Sequence, residues 1–259
     1  MKQLIINADD YGRTPEINKA IIDAFKNGIV SDMSMLATCE AGFSDACKKE
    51  YMDLFKKKAG VHVSLTLGKP LTEEMRKCSY FCDKEGCFYS KMPRKKGVIM
   101  SKKMIRLVTD EFNAQIQRIN NGNWEITHID SHQHIHFRPA ILKALLLSCK
   151  ENDIRIVRIS NTNKTRAIMR IVAKWVNWKI HSFGIKTTDY FGSYKMLNEV
   201  VDDEECKVCE ILCHPMYNSE GVLIDKTSKL NADECVPLNQ IIDSIPFEYE
   251  MASFNMLFK

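Results

Sequence analysis

LIINADDYGRTPEINKAIIDAFKNG, residues 4–28, is one β-to-α unit written in linear form. Leu4-Ile5-Ile6 is a short apolar run, as a buried strand requires, and it stops at Asn7-Ala8-Asp9-Asp10. Thr14 then stands as a helix N-cap. Pro15 occupies the first helical position, where its missing N–H leaves no bond unmade. Ile17, Ile21, Ile22 and Phe25 fall on one helical face, and Gly28 ends the helix.

The same alternation continues along the chain. Met33 to Ala37 reads as a second strand and Gly42 to Lys57 as a helix. Gly60 to Leu65 reads as a third strand, with Val61, Val63 and Leu65 on one face and His62 and Ser64 on the other. A helix follows over Ser101 to Asn120, with Ile105, Val108, Phe112 and Ile116 in register. Trp124 to Asp130 is the fourth strand, Pro139 opens another helix, and Ile154 to Ile159 is the fifth strand. A helix from Thr165 to His181, a strand from Val208 to Cys213 and a last strand over Tyr249 to Leu257 complete the pattern. Residues 68–98 break the rhythm. Their glycines, prolines and aromatics (Tyr80, Phe81, Phe88, Tyr89) suggest an insertion or lid within a single domain over residues 1–259. Strand–helix alternation without a shift in composition predicts an α/β fold built on a parallel sheet, either open or closed into a barrel.

Composition narrows the function classes. Of 259 residues, 45% are hydrophobic and 27% charged, as in a globular enzyme rather than a disordered chain. The net charge is only +4. The basic runs Lys56-Lys57-Lys58 and Arg94-Lys95-Lys96 lack interleaved aromatics, so they read as solvated loops and no nucleic-acid partner is expected. No apolar run reaches membrane length, and the start of the chain turns acidic too soon for a signal segment. No membrane partner and a cytoplasmic location are therefore expected, with the ten cysteines reduced. Cys206 and Cys209 form a C-x-x-C with no second pair at zinc-finger spacing.

The polar clusters carry the chemistry. Asp9-Asp10, the stretch THIDSHQHIH at 127–136, and His214 all fall at the ends of expected strands, and His62 lies within one. Parallel barrels and open α/β sheets both build their sites at that end. His128, Asp130, His132 and His134 recur every second residue, which in an extended strand puts them on one face. One carboxylate and two imidazoles around a divalent ion leave positions open for water and substrate, which is a catalytic arrangement. A second carboxylate that does not bind the ion can take the proton from water. Consecutive aspartates at a strand end diverge, which suits that division.

NADDYG (7–12), GVHVSLTLGKPL (60–71), THIDSHQHIH (127–136) and CHP (213–215) together resemble the YdjC-like carbohydrate deacetylases, which include ChbG-type chitooligosaccharide deacetylases. The motifs come in that family's order and span most of the chain. The resemblance implies a distorted TIM-like (β/α) barrel that removes acetyl from N-acetylated sugars, here N-acetylglucosamine units or a related acetamido sugar. It implies Asp10, His62 and His132 as metal ligands, Asp9 as general base and His214 as general acid. It also implies Mg²⁺ as the ion, whereas two imidazoles on their own favour Zn²⁺ or another transition metal. The chain departs from the pattern in three places. Tyr11 stands where Phe is common, Met216 follows His-Pro where a small residue is usual, and 68–98 matches poorly beyond Pro70-Leu71.

The neighbouring residues are expected in supporting roles. Asp130 is expected to orient a ligand imidazole. His128 and His134 are expected near the ligands or the substrate, and His136 in the structure around them. Arg158 either binds substrate or buries its stem. A homo-oligomer such as a dimer is compatible with this reading. Two other function classes use similar residues: a metal-dependent phosphoesterase, and a non-catalytic sugar- or metal-binding protein.

Overall fold

The computed structural model describes residues 1–55, 58–93, 95–161, 167–226 and 235–257. Strand β1 (Lys2–Tyr11) is the central strand, and eight of its ten residues are buried. On one side it pairs in parallel with β2 (Asp32–Met35), followed by β3 (Ala59–Val63) and β4 (Ile126–Ser131). On the other side come β6 (Val208–Cys213) and β5 (Tyr190–Gly192), also parallel. Single bridges join the two edges. Ile129 in β4 bridges Val157, and Ile156 bridges Lys186, four residues before β5. The sheet therefore curls until its edges meet, with thin closure on that side. The result is a distorted TIM-like barrel of the α/β class. The hairpin of β7 (Pro215–Tyr217) and β8 (Leu223–Asp225) stands apart from it.

Helices cover the outside. Helix α1 (Pro15–Lys26) starts where expected, and the Thr14 hydroxyl accepts from Ile17 N. Helix α5 (Lys102–Asn121) buries Ile105, Val108, Phe112, Ile116 and Ile119, each worth about 1.5–3 kcal/mol when fully covered. The same face also buries Glu111 and Gln115. Gln115 holds both the N–H and the carbonyl of Ser64, just past β3. Glu111 accepts from Leu71 N, Thr72 N and Thr72 Oγ1. Two polar residues of α5 thus fix the chain that leaves β3 and enters 68–98. That segment folds onto the core through Met75, Phe81, Cys82, Phe88 and Met92, and it contains the short helix α4 (Glu73–Arg76).

Several expected elements come out differently. The helix expected over 42–57 is two short helices, α2 (Glu40–Ala46) and α3 (Lys49–Leu54), separated at Cys47-Lys48. Lys56, Lys57 and Arg94 lie outside the described residues. The expected fifth strand, 154–159, is an extended segment with bridges only at Ile156 and Val157. Helix α6 (Pro139–Glu151) opens at its proline. Helix α7 is described from Ala167 to His181, so the expected start at Thr165 falls outside the described residues. The last expected strand shrinks to β9 (Tyr249–Met251), which pairs with the start of β1. It then turns into α9 (Phe254–Leu257), because Asp32 captures Ser253 Oγ and Phe254 N. Helix α8 (Leu238–Asp243) precedes it.

Candidate active site

At the carboxyl ends of the strands a cavity of about 680 Å³ is lined by Asp9, Asp10, His62, His132, His134 and His214, with Arg13, Ile17, Pro215 and Met216 around them. Asp9 and Asp10 face the same cavity, although neighbouring residues of a strand should diverge. The cause is local: Asp10 has a left-handed backbone, φ 72°, and the register of β1 against β2 slips between Ala8 and Tyr11. Gly12, at φ 84°, completes the turn. A Cβ there would meet the Leu36 carbonyl oxygen at 2.6 Å.

The 127–136 stretch does not act as one strand face. Strand β4 ends at Ser131, and residues 132–137 form a tight 3-10 turn with Gln133 and His134 both left-handed, at φ 55° and 51°. His128 and Asp130 point into the barrel from the strand, while the turn brings His132 to the rim. His132 Nδ1 lies 2.9 Å from Asp10 Oδ1, and His62 Nε2 lies 3.4 Å from the same oxygen. Asp130 is the register partner of His62, and its Oδ1 accepts from His62 Nδ1 at 2.7 Å. That bond fixes the ring and leaves Nε2 for the cavity. Asp10, His62 and His132 form a group that can hold a metal ion. The donor set fits one: both ring nitrogens beside Asp10 are positions a cation can take in place of a proton.

A second cluster of similar composition, Asp9, His62 and Asp130, lies deeper. It already contains a cation. Arg158 is fully buried and donates through Nη1 to Asp9 Oδ2 and through Nη2 to Asp9 Oδ1, both at 2.8 Å. Its Nη1 also lies 2.5 Å from Asp130 Oδ2, and its Nε donates to Glu210 Oε1 at 2.6 Å. Asn7 Nδ2 donates to Asp9 Oδ1, and Ser34 Oγ donates to Asp130 Oδ2. Arg158 therefore holds carboxylates from inside the barrel wall.

Electrostatics follow from these contacts. Burial alone would raise the Asp9 carboxyl, but the Arg158 guanidinium and His62 together bring it below its usual value. Burial also opposes ionisation of Asp10, yet hydrogen bonds from His132 and His62 hold it well below the carboxylate range. Burial would lower His62; Asp130, Asp9 and Asp10 carry it up to about 10. Burial pushes Glu210 up to about 7 despite Arg158.

His128 and His136 serve the frame, whereas His134 and His214 line the cavity. Burial drives His128 down to about 3. It is held between Thr127 and Ser34 and stacks on Phe254 at 3.9 Å. Its ring fills the place of a side chain at residue 60, since a Cβ on Gly60 would come within 2.3 Å of it. His136 bridges Ser131 Oγ and the Arg158 carbonyl. His134 stacks on Phe137, and its buried Nδ1 has no partner among the described residues. His214 follows β6, and its backbone N–H donates to Asp225 Oδ1 at 2.7 Å. Asn7, Ser34 and Glu210 belong to the site yet were not singled out from the sequence. Glu210 had a visible signal: it is the lone acid inside the apolar run of β6.

The family model for YdjC-like proteins matches residues 3–252. A carbohydrate deacetylase of Brevibacillus brevis is 29% identical over 225 residues, covering 85% of this chain and 84% of that one. A carbohydrate deacetylase of Enterococcus faecalis is 28% identical, covering 91% and 87%. A chitooligosaccharide deacetylase of Yersinia pestis is 27% identical, covering 86% and 85%. Among solved structures, an Enterococcus faecalis protein described as a candidate for cellobiose-phosphate cleavage superposes with a TM-score of 0.69 at 21% identity. The match covers 99% of this chain and 98% of that one.

Proposed function

This chain belongs to the YdjC-like family, and from that premise we propose that it is a carbohydrate deacetylase hydrolysing the acetamide of an N-acetylated amino sugar with one divalent ion. The observation that carries this reading is the convergence of Asp10 Oδ1 with His132 Nδ1 at 2.9 Å and His62 Nε2 at 3.4 Å, at a cavity that Asp9 also lines. Asp10, His62 and His132 hold the ion. When bound, the ion supplies Lewis acidity, polarising the acetyl carbonyl and acidifying water.

The rest is the work of the chain. Asp9 takes the proton from the attacking water; the Arg158 fork keeps it ionised and aimed. Asp130 keeps the His62 ring turned to the site. His214, on the cavity wall, gives a proton to the departing amine. His134, also on the cavity wall, contacts the sugar. The 68–98 segment meets the site's rim at the His132 turn, where Gln133 Nε2 donates to Ser90 O at 3.0 Å.

The test is acetate release from N-acetylglucosamine and its oligomers, measured after chelation and after adding back Mg²⁺ or Zn²⁺. Acetate that appears only with the ion supports the reading. Phosphate release from generic esters without acetate release would replace it with the phosphoesterase class. Sugar or metal binding without turnover would replace it with a binding protein.

A further inference from the structure

Helix α7 carries an apolar face that the barrel does not use. Its inward side is Ala173, Val176 and Ile180, all buried. Asn177 sets that orientation by bonding both the N–H and the carbonyl of Ser160. On the opposite side Ile168 is 66%, Ile171 64%, Val172 41%, Trp175 39% and Trp178 62% exposed. Positions 168, 171, 172, 175 and 178 follow helical spacing and form one stripe. Scattered exposed apolar residues are ordinary on a protein surface. A contiguous stripe of five large ones, two of them tryptophan, marks an interaction surface.

Charge selects the partner. Between Ala167 and His181 there is no Asp or Glu, while Arg170, Lys174 and Lys179 are all cationic. On the helical wheel Arg170 and Lys174 lie along one margin of the stripe, with Lys179 on the other margin. Lys179 Nζ rests 5.7 Å from the centre of the Trp178 ring. A second copy of this helix laid on the stripe would set cationic margins against each other with no acid on either helix to answer them. Anionic headgroups complement both margins at once, and tryptophan is favoured at the boundary between headgroups and acyl chains.

We propose that α7 is a peripheral membrane-binding helix. It lies on an anionic lipid surface with Ile168, Ile171, Trp175 and Trp178 among the upper acyl chains and Lys174 and Lys179 against lipid phosphates. This departs from the expectation of no membrane partner. That expectation came from the lack of a spanning segment, and no helix among the described residues is long and apolar enough to cross a membrane. A helix lying in the surface plane needs no such length.

The experiment is flotation of the full chain with phosphatidylcholine vesicles, with and without phosphatidylglycerol, read together with tryptophan emission. The only other tryptophan, Trp124, is 5% exposed, so a blue shift reports Trp175 and Trp178. The wild type should float and shift to the blue on phosphatidylglycerol vesicles and remain free on phosphatidylcholine alone. Ile171→Glu with Trp178→Glu should cut binding by about tenfold or more. Lys174→Gln and Lys179→Gln should each cut it roughly fivefold. Circular dichroism checks the fold; if the glutamate pair unfolds the chain, the two glutamine variants decide alone. No flotation, equal flotation on phosphatidylcholine alone, or flotation unchanged in the variants overturns the proposal. So does a wild-type dimer in sedimentation equilibrium that the glutamate pair dissolves without any vesicle binding, since the stripe would then be a contact between copies.

Discussion

Two acid-rich clusters sit side by side in this barrel, joined by the bond between Asp130 and His62. In the inner one Asp9, Asp130 and Glu210 surround Arg158, and the chain supplies its own cation. In the outer one Asp10 meets His62 and His132 at the cavity, with ring nitrogens in the place of a fixed charge. Removing an ion from water costs several kcal/mol unless a partner with good geometry replaces the water. The inner cluster meets that demand internally and reaches the cavity only through Asp9. The outer one meets it with groups that can exchange a proton for a metal. What separates the two clusters is therefore the source of the cation, since the carboxylates are alike.

Arg158→Met breaks this contrast most severely. It leaves buried carboxylates without their cation, so unfolding in denaturant should show a loss of about 3–5 kcal/mol, together with loss of turnover. A variant as stable as the parent would mean that the inner cluster neutralises itself by protonation. Next come the proposed ligands. His132→Ala and His62→Ala should each lose the ion and nearly all hydrolysis, checked by metal analysis of the purified protein. They should differ in stability: His132 is at the rim, whereas His62 is bonded to buried Asp130, so His62→Ala should also lower the melting temperature. Full metal occupancy in either would remove that residue from the ligand set.

Asp9→Asn separates the clusters by role. It should retain the ion and reduce kcat by about 10²–10⁴-fold, the usual effect of losing a general base. Loss of the ion in Asp9→Asn, with retention in Asp10→Asn, would reverse the two assignments. His214→Ala should reduce amide hydrolysis far more than hydrolysis of an aryl acetate, whose leaving group needs no proton. Equal losses on both substrates, at full metal occupancy, would leave His214 a positioning role only.

Asp32, at the opposite end of β2, extends the comparison to a buried carboxylate whose Oδ2 has no partner among the described residues. Burial raises it from 3.8 to about 7. The folded state then binds the proton more tightly than the unfolded chain. Its stabilising share is full below the unfolded value and is lost as pH rises through about 7. Asp32→Asn should therefore gain on the parent by a few kcal/mol at alkaline pH and little at acid pH. A pH-independent difference in melting temperature would show that burial does not shift Asp32.

Much of this was readable along the chain. The β1–α1 unit, its Thr14 cap and Pro15, and the residues grouped at the strand ends all follow from local rules. Helix propensity, capping and hydrophobic period depend on neighbours within a turn or two, and the chain carries that information in order. The places where the reading failed are places where distant partners decide. The two-residue period of 128–134 continued past Ser131, but the backbone turns left-handed at Gln133 and His134, and His132 reaches Asp10 through that turn. The extended 154–159 segment closes the barrel with single bridges because its partners, β4 and Lys186, come from opposite edges of the sheet. Arg158, open to either reading in the linear chain, became the shared counter-ion of Asp9, Asp130 and Glu210.

The sequence by itself determined the alternating α/β architecture, the family and the set of ionisable residues gathered at one end of the strands. Only the tertiary structure decided which carboxylate meets which cation. The reason is physical: periodicity is a local property of the chain, whereas an ion pair between residues 149 positions apart, such as Arg158 and Asp9, exists only once the sheet has curled and its edges have met.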